Sequence, residues 1–308
     1  MGTFERSSGG HSTAVATLIV NLGSRRSGAE AERVQAALRE RQIPIDEVLL
    51  AKTGREIRAY TRRAIRRGSK LIIAGGGDGT MTTIAGELAF GDVTLGVVPL
   101  GTGNSFAQSL GIALDIEAAA DVIAGGRCAH VDLGKAGRTY FANFATIGLP
   151  AEIARQTPRS LKSLVGTIAY VIAGLRPAIA QNAFVCDLRW EKNHTRLTTK
   201  QLIIASGRIY GNTPVTPEAS ITDGKLTVFT ATGLSHAEVA RLYIALALGR
   251  QHEMPDAYRF KASSVRVRTS ARQRVSLDGE EWGRTPARFS IAHKALRVLV
   301  PADFRVDT

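Results

Sequence analysis

The sequence predicts an N-terminal Rossmann-like parallel α/β domain followed by a C-terminal β-sandwich-rich domain. Three observations carry this. Apolar runs alternate with amphipathic helical patterns up to about residue 130, the signature of a parallel sheet. Glycine-rich loops follow two successive apolar runs, where such sheets bind ligands. Beyond that point short strand patterns separated by Gly, Asn and Pro turns dominate, which suits a sandwich or barrel.

The elements follow in order. Residues 1–13, "MGTFERSSGGHST", are polar and rich in Gly and Ser. They read as a disordered tail with no apolar segment of a secretory signal. The first domain is expected over 14–130 and the second over 131–300, with the last strand a candidate to return to the first domain. "AVATLIV" (14–20) is a buried strand ending in a turn at Asn21. Helical spacing of Val34, Ala37, Leu38 and Ile43 marks the first helix. "IDEVLLA" is the second strand, and "GREIRAYTRRAIRRGSK" the second helix. "KLIIAGGG" is the third strand, followed by a helix from about Met81 to Phe90. "TLGVVPLGTGN" is the fourth strand with its loop, and "IEAAADVIAGG" a further helix. Strands are then expected at 131–134, 139–146, 183–191, 200–206, 225–231, 264–269, 272–277 and 288–291. Helices are expected near 160–175 and 235–249, the second opened by the capping box Ser235–Glu238.

Composition limits the function. The 308 residues include 40 Lys and Arg against 27 Asp and Glu, a net charge of +13. That excess favours an anionic partner: nucleic acid, an anionic membrane surface or a phosphorylated ligand. The two cysteines, Cys128 and Cys186, form no CxxC pair, which excludes a zinc ribbon or a disulfide scaffold and suits a reducing compartment. The apolar stretch "LVGTIAYVIAGL" (164–175) is too short to span a bilayer and reads as a buried core helix, with an interfacial helix as the alternative.

The chemistry is expected in the loops. In "GGGDGT", glycines free the backbone for close approach and expose N–H groups. Gly75, Gly77 and Gly79 give G-x-G-x-G rather than a dinucleotide fingerprint, and no Walker lysine follows. Asp78 can bind a metal, orient a water or accept from a ribose, and Thr80 can reach a phosphate. The second loop, "PLGTGN", repeats the design with Gly101, Thr102, Gly103 and Asn104. The third, "NLGSRRSG", offers Asn21, Ser24, Ser27 and Gly28, with an Asn/Ser turn and N-cap as its plain reading. Two glycine loops on neighbouring strands suit a triphosphate; a capped tight turn is the plainer alternative for each loop alone.

"GGGDGT" followed by "PLGTGN" resembles the diacylglycerol kinase catalytic domain family, which includes sphingosine and ceramide kinases and soluble bacterial lipid kinases. "IVNLGSRRSG", "NFATIGLPAEIA" (143–154), "GNTPVTPEASITDGKLTVF" (211–229) and "SLDGEEW" (276–282) match further family segments in order. Leu22 replaces the usual proline of the first turn, and Thr222 stands where many members have an aspartate. The resemblance implies a lipid kinase using ATP and Mg²⁺, with a NAD kinase/diacylglycerol kinase-like fold. It places ATP against Asn21, Ser24, Thr53, Gly76, Gly77, Asp78, Gly79, Thr80, Thr102, Gly103 and Asn104. Its catalytic residues are Glu280 as proton acceptor with Asp278 beside it, and Asp78. It also implies a structural metal at Asp223, with carbonyls near Ser220 and Lys225. A β-hairpin turn is the structural reading of "LDGE", and both readings are compatible. A NAD kinase-like phosphotransferase shares the Gly-Gly-Asp-Gly loop; "PLGTGN" and "SLDGE" favour the lipid branch. A non-catalytic lipid- or nucleotide-binding regulator is the non-enzyme alternative.

The expected partner is a lipid substrate at a membrane surface, reached by a cytoplasmic, peripherally associated enzyme. The helix 55–70 carries Arg55, Arg58, Arg62, Arg63, Arg66, Arg67 and Lys70 against Glu56 alone, and Arg266 and Arg268 share a strand face. Either could meet anionic lipid; a solvated face is the plain reading of each. No nucleic-acid partner is expected: the chain is 6% aromatic and has no matching motif. A homodimer is the default prior.

Overall fold

The computed structural model describes residues 16–23, 27–148, 182–210, 213–214, 218–232, 235, 237–238, 241, 245 and 257–307. The predicted N-terminal tail, the 160–175 helix and Ser24 fall outside them.

The first half follows the expected alternation. Strands β1 (Ala16–Asn21), β2 (Glu47–Ala51), β3 (Leu71–Gly76) and β4 (Thr94–Pro99) alternate with helices α1 (Ser27–Glu40), α2 (Gly54–Arg66) and α3 (Asp78–Leu88). Short α4 (Ser105–Ser109) and α5 (Ile116–Gly125) come next. The pairs β1–β2, β1–β3 and β3–β4 are parallel. Leu18, Ile19, Ile72, Ile73, Leu95 and Val98 are fully buried, as strands covered by helices on both faces require. Helix α3 starts at Asp78, three residues before the predicted start, so the aspartate is part of the helix rather than of a free loop. The five-residue α4 has no sequence signal of its own.

The remaining strands are β5 (Arg127–Ala136), β6 (Thr139–Phe141), β7 (Phe144–Gly148), β8 (Phe184–Trp190), β9 (Asn193–Thr199), β10 (Gln201–Ala205), β11 (Ile209–Tyr210) and β12 (Thr213–Pro214). They continue with β13 (Leu226–Ala231), β14 (Ala257–Ala262), β15 (Ser264–Thr269), β16 (Arg274–Leu277), β17 (Glu280–Arg284) and β18 (Ala287–Val300). The expected strand 139–146 divides into β6 and β7 at Ala142–Asn143. Five strands stand outside the expected ranges: β9, β11, β12, β14 and β17. Each lies at the edge of a sheet. Edge strands carry polar and charged residues against wrong pairing, and "NHTRLTT" and "EEWGR" lose the apolar alternation for that reason.

β18 joins the two halves. At 14 residues it far exceeds the predicted 288–291. Its end pairs in parallel with β4 through Val298 and Leu95, and its start is antiparallel to β15. β5 runs antiparallel along both parts of β18. One ten-stranded sheet results, ordered β2-β1-β3-β4-β18-β15-β8-β9, with β5 and β6 attached at β18. A six-stranded antiparallel sheet, β14-β13-β10-β7-β16-β17, packs on its far end. Phe141, Phe184, Val267 and Phe289 of the first sheet meet Ile147, Leu202, Val228 and Leu277 of the second in one buried cluster. Glu238 and Ser235 form the predicted capping box, the Glu238 N–H donating to Ser235 Oγ at 3.2 Å and the Ser235 N–H to Glu238 Oε2 at 2.8 Å.

Candidate active site

The site is assembled where the parallel strands end and the second sheet begins. The two glycine loops touch backbone to backbone. A Cβ on Gly101 would lie 2.5 Å from Gly77 Cα, and one on Gly76 would lie 2.4 Å from Thr80 Oγ1. Gly76, Gly77 and Gly101 are therefore fixed by packing. Gly79 and Gly103 differ. A Cβ on Gly79 would have Glu280 Oε1 as its nearest neighbour, at 3.7 Å, and one on Gly103 would meet Asp78 Oδ2 at 3.3 Å. These two glycines face the acids and mark the cleft.

The polar loop residues divide in the same way. Thr80 is buried, and its hydroxyl accepts from Asn21 Nδ2 at 2.9 Å. Asn21 Oδ1 in turn accepts from the Gly23 N–H at 2.9 Å. Asn104 is buried in the left-handed region, φ 50°, which asparagine tolerates. Its side chain closes on the Gly101 N–H and carbonyl at 2.9 and 2.7 Å. Thr53 caps α2: its hydroxyl accepts from the Glu56 N–H at 3.2 Å. Asn21, Thr80 and Asn104 thus hold the loops in shape. Thr102 is exposed at its loop tip. Helix α3 opens at Gly77 without a side-chain cap, leaving its positive end available to an anion.

Asp78 Oδ1 accepts from the Phe106 N–H at 2.9 Å and from Asn143 Nδ2 at 3.3 Å. Its Oδ2 has no hydrogen-bond partner among the described residues. Asn143, a residue that sequence reasoning placed in a matching segment but assigned no role, is 1% exposed. Its Oδ1 has no hydrogen-bond partner among the described residues. The amide orientation is fixed by chemistry, since only the nitrogen end can donate to a carboxylate.

Asp278 and Gly279 form the predicted hairpin turn. Both have positive φ, 47° and 88°, as a two-residue type I′ turn requires. The Asp278 carboxylate is a four-bond anchor. Thr82 Oγ1 donates to it at 2.6 Å, and the N–H groups of Ala142, Asn143 and Phe144 at 2.7, 3.0 and 2.8 Å. Burial pushes its carboxyl up to about 6, against the pull of these donors. The anchor ties the β16–β17 turn to α3 and to the β6–β7 corner, and the turn carries Glu280. Glu280 is exposed, free of these constraints and turned toward Gly79.

The Asp223 position differs from the expectation. Asp223 Oδ2 is paired with Lys261 Nζ at 2.7 Å, and Oδ1 accepts from the Lys225 N–H at 2.9 Å. Ser220 Oγ accepts from the Thr222 N–H at 3.0 Å. The described residues contain no group of three metal-ligating His, Cys, Asp or Glu side chains. The Lys261 ammonium occupies the place where a cation was expected and is the partner of Asp223 in this structure.

Comparison with known proteins places this geometry in context. Residues 15–136 match the diacylglycerol kinase catalytic domain, and residues 144–300 match the YegS C-terminal NAD kinase beta sandwich-like domain. A diacylglycerol kinase of Staphylococcus haemolyticus is 30% identical over 280 residues, covering 86% of this chain and 84% of the relative. One of Staphylococcus saprophyticus is 29% identical over 282 residues, covering 86% and 92%. The crystal structure of a putative diacylglycerol kinase from Bacillus anthracis superposes with a TM-score of 0.81 at 23% identity, over 95% of this chain and 98% of that one. That likeness concerns the fold.

Proposed function

Because this chain belongs to the diacylglycerol kinase family and is an enzyme of that lipid kinase type, we propose that it transfers the γ-phosphoryl group of ATP to a lipid hydroxyl, of diacylglycerol or a related lipid. The observation that carries the reading is the convergence of Asp78 and Glu280 on the uncapped start of α3. A helix N-terminus flanked by glycine backbone suits phosphate oxygens, and carboxylates beside it suit a divalent cation and a hydroxyl proton.

The residues present fit ATP with Mg²⁺ at this end of the sheet. The partnerless Oδ2 of Asp78 would hold the cation. Bound there, ATP supplies the phosphoryl group and Mg²⁺ neutralises its charge. Glu280 accepts the proton of the attacking hydroxyl. Asp278 positions Glu280 by anchoring the turn. Asn143 holds the Asp78 carboxylate, and Asn21 and Asn104 keep the loops in register. Such chemistry depends on positioning and charge neutralisation more than on covalent help. The enzyme works as a peripheral protein at a membrane surface; no helix among the described residues is long and apolar enough to cross one.

The test is transfer from γ-labelled ATP with Mg²⁺ into a mixed lipid extract, comparing wild type with Asp78→Ala. A labelled lipid that disappears in the variant supports the reading and identifies the acceptor. Absence of any labelled lipid, with ATP still bound, overturns it.

A further inference from the structure

Two basic faces are exposed, and the structure separates them. On α2, Arg58 and Arg62 grip Glu87 of α3 at 3.1 and 2.7 Å. Arg63 and Arg67 share Glu47 of β2. Four of the seven cations expected on that helix are thus spent on acids of the same fold. Arg55, Arg66 and Lys70 are left without an ion pair among the described residues.

The outer face of β18, β15, β8 and β9 is different. Val265, Val267, Leu188 and Phe289 point into the sandwich, so their neighbours in sequence point out. Strand register then sets Arg288, Arg266 and Arg189 directly opposite one another across three adjacent strands. Adjacent strands lie about 4.8 Å apart, so the row spans about 10 Å. The next row is Arg268, Asp187 and Arg196. All five arginines are exposed. Asp187 is already taken by His194 and Arg189, at 2.9 and 3.2 Å. Arg196, Arg266, Arg268 and Arg288 have no ion pair among the described residues. Like charges placed opposite across strands repel, and an external layer of anions relieves that repulsion.

The face also flanks the site. Tyr140, beneath Lys135 on the same side of the sheet, packs toward Gly86 of α3. Helix α3 is the one whose start faces Glu280.

We propose that this arginine face of β18, β15, β8 and β9, rather than α2, docks the enzyme on an anionic phospholipid surface. The inference rests on the lipid kinase reading for its choice of partner. The four-strand array presents a two-row cluster of arginines to a layer of phosphate headgroups, and guanidinium forks suit phosphate.

The experiment measures sedimentation of the full chain with phosphatidylcholine vesicles, with and without phosphatidylglycerol. Wild type is expected to bind the anionic vesicles and to be released by salt. Each arginine near such a surface contributes about a factor of five, so Arg266→Gln/Arg288→Gln is expected to weaken binding by about 30-fold. Arg55→Gln/Arg66→Gln on α2 is the comparison and is expected to stay within about twofold of wild type. Thermal unfolding confirms that each variant is folded, and Arg268→Gln replaces the double variant if that one is not. Loss of binding in the α2 variant with retention in the sheet variant overturns the proposal. So does binding of wild type to neutral vesicles alone, or tighter binding to a DNA duplex than to anionic vesicles at the same salt. Transfer to a short-chain, monomeric diacylglycerol is assayed in parallel. No transfer by wild type removes the kinase reading, while unchanged vesicle binding with normal transfer in the sheet variant removes only the docking face.

Discussion

Asn143 Nδ2 reaches Asp78 Oδ1 at 3.3 Å across 65 residues of sequence, while the Asn143 backbone N–H donates to Asp278 Oδ1 at 3.0 Å. One residue therefore holds both the acid of the glycine loop and the anchor of the Glu280 turn. Its own carbonyl accepts from the Ser206 and Gly207 N–H groups at 2.9 and 3.0 Å, so the backbone that presents the amide is fixed. Replacing Asn143 by Asp sets a second carboxylate against Asp78. Phosphoryl transfer is expected to fall by about 100-fold with the fold retained. Steady-state kinetics beside a melting curve decides this; a normal kcat would remove Asn143 from the site.

Glu280 offers the cleanest separation of chemistry from stability. It is exposed, and its replacement by Gln keeps size and hydrogen bonding. The rate is expected to drop by about 10²- to 10⁴-fold, with unchanged melting and unchanged nucleotide affinity. Calorimetric titration with ATP and a transfer assay on the same sample make the comparison. Retained turnover would assign proton removal elsewhere.

Asp278 predicts a pH dependence with a definite sign. Its carboxyl is raised from 3.8 in the unfolded chain to about 6 in the fold. Between these values the folded state binds the extra proton, so this group's contribution to stability falls as pH rises through that window and is level above it. The difference in melting temperature between wild type and Asp278→Asn should follow that course. A difference that grows in favour of wild type from pH 4 to 6 would contradict the raised value.

The glycines divide into two mutational classes. Gly101→Ala drives a Cβ to 2.5 Å from Gly77 Cα, a backbone contact that cannot yield cheaply, and should cost about 1–3 kcal/mol. Gly125 ends α5 with open space around its Cβ position, so Gly125→Ala should stabilise by up to ~1 kcal/mol. Denaturant unfolding of the two variants tests the contrast.

The Lys261–Asp223 pair makes a metal at that position unnecessary for folding. Melting is therefore expected to be unaffected by a strong chelator. Lys261→Met leaves the Asp223 carboxylate without its cation and should lower the melting temperature, with or without chelator. A chelator-induced drop in wild type would restore the metal reading.

What the sequence determined by itself is the α/β half and the place of its loops. β1, β3 and β4 are mainly apolar because both faces are covered, and the longer helices carry a stripe or cap, as Thr53 and Glu56 do at α2. Asp-Gly at 278–279 announced its turn because the left-handed region selects those residues. Only the tertiary structure decided the rest. The edge strands β9 and β17 are defined by a partner on one side, and their polar sequences carry little apolar pattern. β18 became the link between the halves through pairing with β4, a contact 203 residues away in sequence at Leu95 and Val298. Asp278 as an anchor, Asn143 as a bridge, Lys261 as the cation at Asp223 and the arginine row of the outer sheet all arise from residues distant in the chain. Local periodicity records which face of an element is buried. It carries no record of which remote side chain will be waiting there.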